Sequence, residues 1–250
     1  MPLLTLLAIV MLIQPAQQAS ADSLLWSSNN LLLLHGSGYE VDAERQTTLT
    51  VEHASGWSFG DLFFFADLNR YHDSPQPDAY YAEFSPRLSF SKLGNTEIRF
   101  GPVSDVLLAA TAEFGTGDVE GLLIGPGLDL SLPGFDFFQL NLYRRFIFND
   151  RDGETFQLTP AWGMTIPFLG SNLVFEGYID WNFTSDGGYQ ENFHFNPRLK
   201  FDIGKPMFDR ANTAYLGIEY SYWSNKYGIE DSAAFNTDQN ALSVFFNLRF

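Results

Sequence analysis

The amino-acid sequence predicts an all-β protein: a transmembrane, up-and-down antiparallel β-barrel of about twelve strands, with short periplasmic turns and longer acidic outer loops. The first observation is an alternation of apolar and polar residues that recurs along most of the chain. The second is that no segment after the N-terminal stretch offers the ~20 unbroken apolar residues of a membrane helix. The third is the C-terminal stretch ALSVFFNLRF, in which apolar residues occupy every second position from Leu242 to the terminal Phe250. A period of two is typical of a strand whose two faces meet different surroundings.

The N-terminal stretch is interpreted as a targeting signal. The apolar run from Leu3 to Ile13 is too short to cross a bilayer, and Ala19-Ser20-Ala21 follows it with the small-x-small pattern of a cleavage site. We therefore expect a signal peptide over residues 1–21, a mature N-terminus at Asp22 and a single barrel domain over residues 22–250. An apolar N-terminal helix is the alternative.

Twelve strands follow from the alternating runs and the turn residues between them, each near the ~10 residues that a tilted spanning strand needs. The predicted spans are 29–39, 46–54, 57–67, 79–91, 103–115, 119–132, 135–148, 154–166, 172–184, 191–203, 212–226 and 239–250.

The connections sort into two alternating kinds. One kind is polar and acidic, as in NRYHDSPQPD and TSDGGYQEN, and the other is mostly short, as at Pro133-Gly134. Two connections of the second kind, SKLGNTEIRFGP and GKPMFDRA, are longer than the pattern predicts. Long loops outside and tight turns in the periplasm are typical of a barrel that crosses an outer membrane.

The apolar face is interpreted as facing lipid and not a protein core. Aromatic residues make up 16% of the chain, and Trp57, Trp181 and Tyr222 lie near strand ends, as in the aromatic girdles at membrane interfaces. A soluble β-sandwich also alternates, but its outer face is expected to be rich in Lys and mixed charges. The sequence therefore predicts the outer membrane of a Gram-negative bacterium as the location. The strand that ends at Phe250 matches the signal that the barrel assembly machinery recognises.

Composition and charge exclude several functional classes. The chain has no cysteine, so disulfides and thiolate metal sites are impossible. With 30 acidic and 14 basic residues the formal net charge is -16, which argues against a nucleic acid polymer as a partner. His35, His72 and His194 lack metal-ligand spacing, so we expect neither a metal nor a cofactor.

A family resemblance is carried by residues 84–102, FSPRLSFSKLGNTEIRFGP. Pro86-Arg87-Leu88-Ser89, then Lys92-Leu93-Gly94-Asn95-Thr96, then Phe100-Gly101-Pro102 resemble the pattern of the nucleoside-specific channel-forming Tsx family. The similarity continues through DLSLPGFDFFQLNLY and the last strand. The resemblance implies a monomeric barrel with a narrow pore and passive uptake of nucleosides and deoxynucleosides. It also implies outer loops that serve as phage or colicin receptors. The acidic loops would in addition suit cation bridging to lipopolysaccharide in the outer-membrane lipid.

Nucleoside transit requires aromatic faces on which any base can stack and polar groups that hold ribose weakly. Such residues must point inward, on the face opposite the apolar one. The inward candidates are Phe63, Phe65, Tyr81, Glu83, Arg87, Tyr143, Arg145, Tyr178, Asp180, Arg198 and Tyr215. A second interpretation is that opposed charges neutralise one another and only fill the lumen.

Two other functions stay open at this stage. His53 and Ser55 have the spacing of a serine–histidine pair on the lipid face of one strand, which would suit an outer-membrane lipid hydrolase. No orienting acid is evident in the sequence, so we expect no enzyme. The other alternative is a nonselective small porin or a purely structural barrel, which differs only in whether the lumen is open and lined with aromatic rings.

Overall fold

The structure is a closed antiparallel barrel of 12 strands, each paired with its two neighbours in the chain and with β1 paired to β12. It is a computed structural model, and it describes residues 23–117, 119–148 and 153–250. The predicted barrel and its strand number are therefore confirmed. The predicted signal peptide, residues 1–21, lies outside the described residues.

The strands run close to their predicted spans. They are β1 (Leu24–Ser37), β2 (Arg45–Trp57), β3 (Gly60–His72), β4 (Ala79–Ser89), β5 (Val103–Gly115), β6 (Val119–Leu130), β7 (Phe137–Ile147), β8 (Gly153–Phe168), β9 (Ser171–Asn182), β10 (Asn192–Asp202), β11 (Ala214–Ser224) and β12 (Gln239–Arg249). β1 begins at Leu24, earlier than the predicted residue 29, because residues 24–28 continue the pairing with β2 as far as Trp57.

Closure of the barrel occurs where the two terminal strands meet. Leu33 pairs with Phe246 and Ser37 pairs with Leu242, so β1 and β12 run side by side along most of their length. The main chain of Phe250 exchanges two hydrogen bonds with Asn29. Because no strand edge is left open, every strand has a partner on both sides, as a barrel in lipid requires.

The two faces of the wall differ as the alternation predicts. On β12 the outward residues Leu242 and Val244 are 55% and 60% exposed, while the inward residues Ser243 and Asn247 are buried. Inward polar and outward apolar side chains are typical of a barrel with a wet lumen in a lipid bilayer.

An apolar patch inside the barrel departs from that rule. Leu32, Leu34 and Phe245 point inward and pack together as a buried cluster. Residues 31–34 are a run of four leucines, so alternation is absent there and the sequence does not reveal which ones face inward.

The connections lie at two ends of the barrel. The terminus end carries Ser23, the first described residue, the C-terminal Phe250 and the connections 58–59, 90–102, 131–136, 169–170 and 203–213. At the opposite, loop end, long connections run over residues 38–44, 73–78, 183–191 and 225–238.

Two of the connections at the terminus end are not tight turns. Helix α1 (Phe90–Gly94) begins at Ser89, whose hydroxyl accepts from the Lys92 N–H, and helix α2 (Gly204–Phe208) follows Asp202, which accepts from Gly204 N–H. These capped turns account for the two long connections that the loop pattern did not explain. Among the described residues, no helix has the length and hydropathy to span a membrane.

Candidate functional site

The interior wall of the barrel holds the predicted binding residues. Pairing register places all of them on the inward face: Phe63 and Phe65 on β3, Tyr81, Glu83 and Arg87 on β4, Tyr143 and Arg145 on β7, Tyr178 and Asp180 on β9, Arg198 on β10 and Tyr215 on β11. Arg198 shows the direction most directly, because it contacts Glu52 on β2, which is not a neighbour of β10 in the sheet. Such a contact is made only through the interior.

Three aromatic rings form a ladder along the wall. The ring centroids of Phe63 and Phe65 lie 6.0 Å apart, and those of Phe65 and Tyr81 lie 5.8 Å apart. Phe63 is 40% exposed although it faces inward, because its cross-strand neighbours are the small residues Ala54 and Ser85. The lumen is therefore open at Phe63, and an aromatic face is accessible there.

Polar contacts extend towards the loop end from Tyr81, which is the ring of the ladder nearest that end. The Tyr81 hydroxyl donates to Glu83 Oε1 at 2.7 Å and lies 3.1 Å from Glu113 Oε1. Arg145 forms an ion pair with Glu113 at 2.6 Å, and its guanidinium lies 5.4 Å from the ring centroid of Tyr189 in the 183–191 loop. Tyr189 thus covers this cluster from the loop end.

Asp180 on β9 lies beside the cluster that Tyr81, Glu83, Glu113 and Arg145 form. Its Oδ1 accepts hydrogen bonds from Gln157 Nε2 at 2.9 Å and from the Thr159 hydroxyl at 2.7 Å. The Tyr178 ring, two residues along β9, packs edge-on against His194 at 5.4 Å, and His194 stacks on Trp223 at 4.2 Å. Aromatic and acidic groups therefore share the loop-end half of the lumen.

Arg198 bridges the lumen at its centre. Its Nη1 lies 2.5 Å from Glu52 Oε1 and its Nε lies 2.6 Å from Glu219 Oε2. The three side chains are only 10–17% exposed. This contact of Arg198 with Glu52 and Glu219, the Arg198 crosspiece, narrows the lumen because it joins β10 to β2 across the interior.

The remaining candidates lie in more enclosed or more terminal positions. Arg87 binds Asp61 through two nitrogens and Asp129 through a third, near the terminus end. The Lys200 ammonium lies 4.9 Å from the ring centroid of Tyr215. Tyr143 packs in a buried cluster with Ala109 and Leu123, so it forms part of the wall packing and presents no open face.

Loops fold over the loop end of the lumen. Lys226 Nζ binds Asp42 Oδ2 at 2.8 Å and Gln239 Oε1 at 2.6 Å, and it lies within 6 Å of the ring centroids of Trp223 and Tyr227. Burial lowers the pKa of the Lys226 ammonium from its usual value, an effect that the Asp42 carboxylate opposes. The 38–44 and 225–238 loops are therefore held together, and sequence reasoning did not find this contact because it joins residues far apart in the chain.

The histidine–serine pair acquires a third member in the structure. His53 Nε2 lies 3.1 Å from Ser55 Oγ, and His53 Nδ1 lies 2.9 Å from Asn29 Oδ1 on β1. The sequence shows no acid that would orient His53, and in the structure an amide occupies that place: Asn29 lies directly opposite His53 on the neighbouring strand. Ser55, however, is 0% exposed, and its Oγ accepts a hydrogen bond from Trp57 Nε1 at 2.9 Å. An ester does not reach Oγ in this arrangement, and the network instead anchors the Trp57 indole.

Replacing Ser55 by Ala is expected to lower the stability of the folded barrel by about 1–3 kcal/mol, because it leaves the Trp57 N–H and His53 without their shared partner. Urea unfolding in detergent measures this, with Ser58→Ala, an exposed serine at the same end, as the control. Channel conductance should be unchanged in both variants. Phospholipid hydrolysis by the wild type that is lost in Ser55→Ala would contradict the anchoring role.

No group of three or more His, Asp or Glu side chains among the described residues is arranged to hold a metal ion. Of the predicted candidates, the structure brings Phe63, Phe65 and Tyr81 into one ladder and joins Tyr81 to Glu83 and, through Glu113, to Arg145. It separates Tyr143 and Tyr215 from them.

Comparison with known structures supports the same fold. An active-site mutant of outer membrane phospholipase A from Escherichia coli superposes with a TM-score of 0.55 at 12% identity, covering 92% of this chain and 93% of that one. The KdgM porin in complex with disordered oligogalacturonate superposes with a TM-score of 0.51 at 11% identity, covering 89% of this chain and 99% of that one. At these identities the likeness concerns the barrel alone.

Sequence relatives are outer-membrane proteins. Outer membrane protein OmpK of Vibrio parahaemolyticus is 25% identical over 202 residues, which is 76% of this chain and 73% of that protein. A second OmpK sequence from the same species is 26% identical over 228 residues, covering 84% of this chain and 81% of that protein. These relatives place the barrel in the outer membrane, so that the terminus end faces the periplasm and the loop end faces outward.

The family model described as "Nucleoside-specific channel-forming protein, Tsx" matches residues 22–250, which is the whole of the predicted mature barrel. The closed barrel, its polar lumen and this match lead to one conclusion: the chain belongs to the Tsx family of outer-membrane channel proteins.

Proposed function

We propose that this channel takes up nucleosides and deoxynucleosides passively, and that their bases stack on the ladder of Phe63, Phe65 and Tyr81. The observation that carries the proposal is the exposed ring of Phe63 on the lumen wall, continued by two further rings at 6.0 and 5.8 Å. Stacking on aromatic side chains accepts every base, because every base has a π-face.

Polar groups beside the ladder suit the sugar. Glu83 lies directly across from Phe65 in the pairing register, and it accepts a hydrogen bond from Tyr81. A carboxylate with free acceptor capacity binds ribose hydroxyls, and a site that a solute must leave needs only a few such contacts. A nucleoside moving along the ladder would therefore exchange one ring for the next while its sugar meets Glu83.

Replacing Phe63 by Ala is expected to weaken nucleoside binding about 10- to 100-fold, which corresponds to the loss of one stacked base at ~1–3 kcal/mol. The measurement is single-channel conductance of the refolded protein in a planar bilayer, titrated with adenosine and with thymidine, and with glucose as the reference solute. Saturable block by both nucleosides and not by glucose is the expected result for the wild type.

Phe64→Ala is the matched control, because Phe64 is the next residue on β3 and faces the opposite side of the wall. It should leave the block unchanged. A wild-type channel indifferent to nucleosides would refute the proposal and leave a nonselective small porin. Equal block in Phe63→Ala and the wild type would refute the role of the ladder.

A further inference from the structure

Among the described residues, every Lys and Arg on the inward face of a strand has an acidic partner, apart from Arg249 at the terminus end. Arg198, for example, is held by two carboxylates at the centre of the lumen. The pairs are Arg87 with Asp61 and Asp129, Arg145 with Glu113, Arg198 with Glu52 and Glu219, and Lys200 with Glu176. Positive charge along the lumen is therefore neutralised within the wall.

Some inward carboxylates have no such partner. Two of them, Asp105 and Asp202, accept hydrogen bonds from backbone N–H groups at the terminus end, and three others lie farther along the lumen. Asp67, Glu83 and Asp180 form no ion pair with a Lys or Arg in the part of the chain that the structure describes; their hydrogen bonds come from hydroxyl and amide groups. Asp67 accepts from the Thr50 hydroxyl at 2.5 Å. Glu83 accepts from Tyr81 and Asp180 from Gln157 and Thr159. These donors carry no charge, so no positive charge of the wall offsets these three carboxyl groups.

Acceptor oxygens without donors point in the same direction. Within the described residues, the side-chain carbonyl oxygens of four buried asparagines on the lumen face have no hydrogen-bond partner: Asn141, Asn182, Asn196 and Asn247. Asn182 is 1% exposed, lies two residues from Asp180 on the same face, and has neither its Oδ1 nor its Nδ2 paired. Buried acceptors are normally satisfied, so these oxygens add amide dipoles whose negative ends no donor in the wall offsets.

We propose that the channel conducts small monovalent cations in preference to anions, and that Asp67, Glu83 and Asp180 set this preference. A narrow passage with one sign of uncompensated charge and low-dielectric walls concentrates the opposite ion and repels the like one. Rings of acidic side chains and of carbonyl oxygens are the groups that select cations in other pores. The same field disfavours solutes that carry phosphate or carboxylate groups.

The proposed cation preference requires only that the protein is a channel. It does not depend on nucleoside binding, and it is tested separately. The reversal potential of the wild type is measured in a planar bilayer with a tenfold KCl gradient at pH 9. We expect K⁺ to be several-fold more permeant than Cl⁻. A wild-type channel that is unselective or prefers Cl⁻ would overturn the inference, whatever its response to nucleosides.

The triple variant Asp67→Asn, Glu83→Gln, Asp180→Asn identifies the residues. It should bring the permeability ratio of K⁺ to Cl⁻ close to one, while each single variant lowers the ratio in part and remains measurable if the triple variant does not fold. The control triple Glu97→Gln, Asp136→Asn, Asp209→Asn removes the same formal charge from periplasmic connections and should keep the wild-type ratio. An unchanged ratio in the lumen variants, or an equal fall in the control, would overturn the assignment.

Discussion

Replacing Arg198 by Ala is expected to destabilise the barrel by about 3–5 kcal/mol, the largest effect that we expect of any single substitution in the lumen. The guanidinium neutralises Glu52 and Glu219 at once, and all three side chains are nearly buried. Its removal leaves two carboxylates close together without a cation, so both the desolvation of charge and the repulsion between like charges oppose folding. Urea unfolding of the refolded protein in lipid vesicles measures the loss.

Two further variants separate the ion pair from the general effect of truncation. The triple variant Arg198→Ala, Glu52→Gln, Glu219→Gln removes the stranded charges and should recover much of the lost stability. Arg45→Ala disrupts an ion pair with Asp73 at the loop end, where both side chains are more than half exposed, and should change stability by less than about 1 kcal/mol. A loss in Arg198→Ala no larger than in Arg45→Ala would show that the crosspiece does not stabilise the barrel.

Replacing Val244 by Arg is expected to destabilise the protein by about 2–4 kcal/mol, because it places a charge on the lipid face near the bilayer midplane. Val244 lies at the middle of β12 and is 60% exposed on the outward face. Leu248→Arg, on the same strand and face but near the periplasmic end, should lose only about 0–1 kcal/mol. Refolding equilibria in vesicles compare the two.

The comparison of the Val244 and Leu248 variants tests how the cost of an added charge depends on its depth in the bilayer. An exposed surface in water would tolerate arginine equally at both positions, so equal losses would contradict the placement of β12 across the bilayer. The same pair of variants also provides a check on the lumen results, because neither side chain faces the interior.

The two halves of the lumen differ in how much of their space side chains fill. The periplasmic half is open at Phe63, whereas the loop-end half is filled by the cluster around Arg145 and covered by Tyr189. Between Tyr189 and the Arg198 crosspiece a solute therefore passes paired charged side chains. Both the proposed stacking ladder and the proposed charge preference act in or beside this segment.

The fold and the orientation of the side chains were predictable from the sequence alone. Side chains alternate between faces with a period of two, so an apolar set such as Leu242, Val244 and Phe246 defines the lipid face, and Asp61, Phe63 and Phe65 share the other face. Turn residues then delimit the strands, and the strand count follows. This reasoning fails only where alternation is absent, as in the leucines of residues 31–34, of which two pack inside the barrel.

The contacts across the lumen were decided by tertiary structure. Arg198 meets Glu52 over 146 positions of sequence, and Lys226 meets Asp42 over 184, because closure of the barrel brings distant strands and loops together. Asn29 reaches His53 because of the register between β1 and β2, which no local pattern specifies. Alternation determines which way a side chain points, but strand register and barrel closure determine which partner it finds there, and hence which charges are neutralised and which remain free to act on a passing solute.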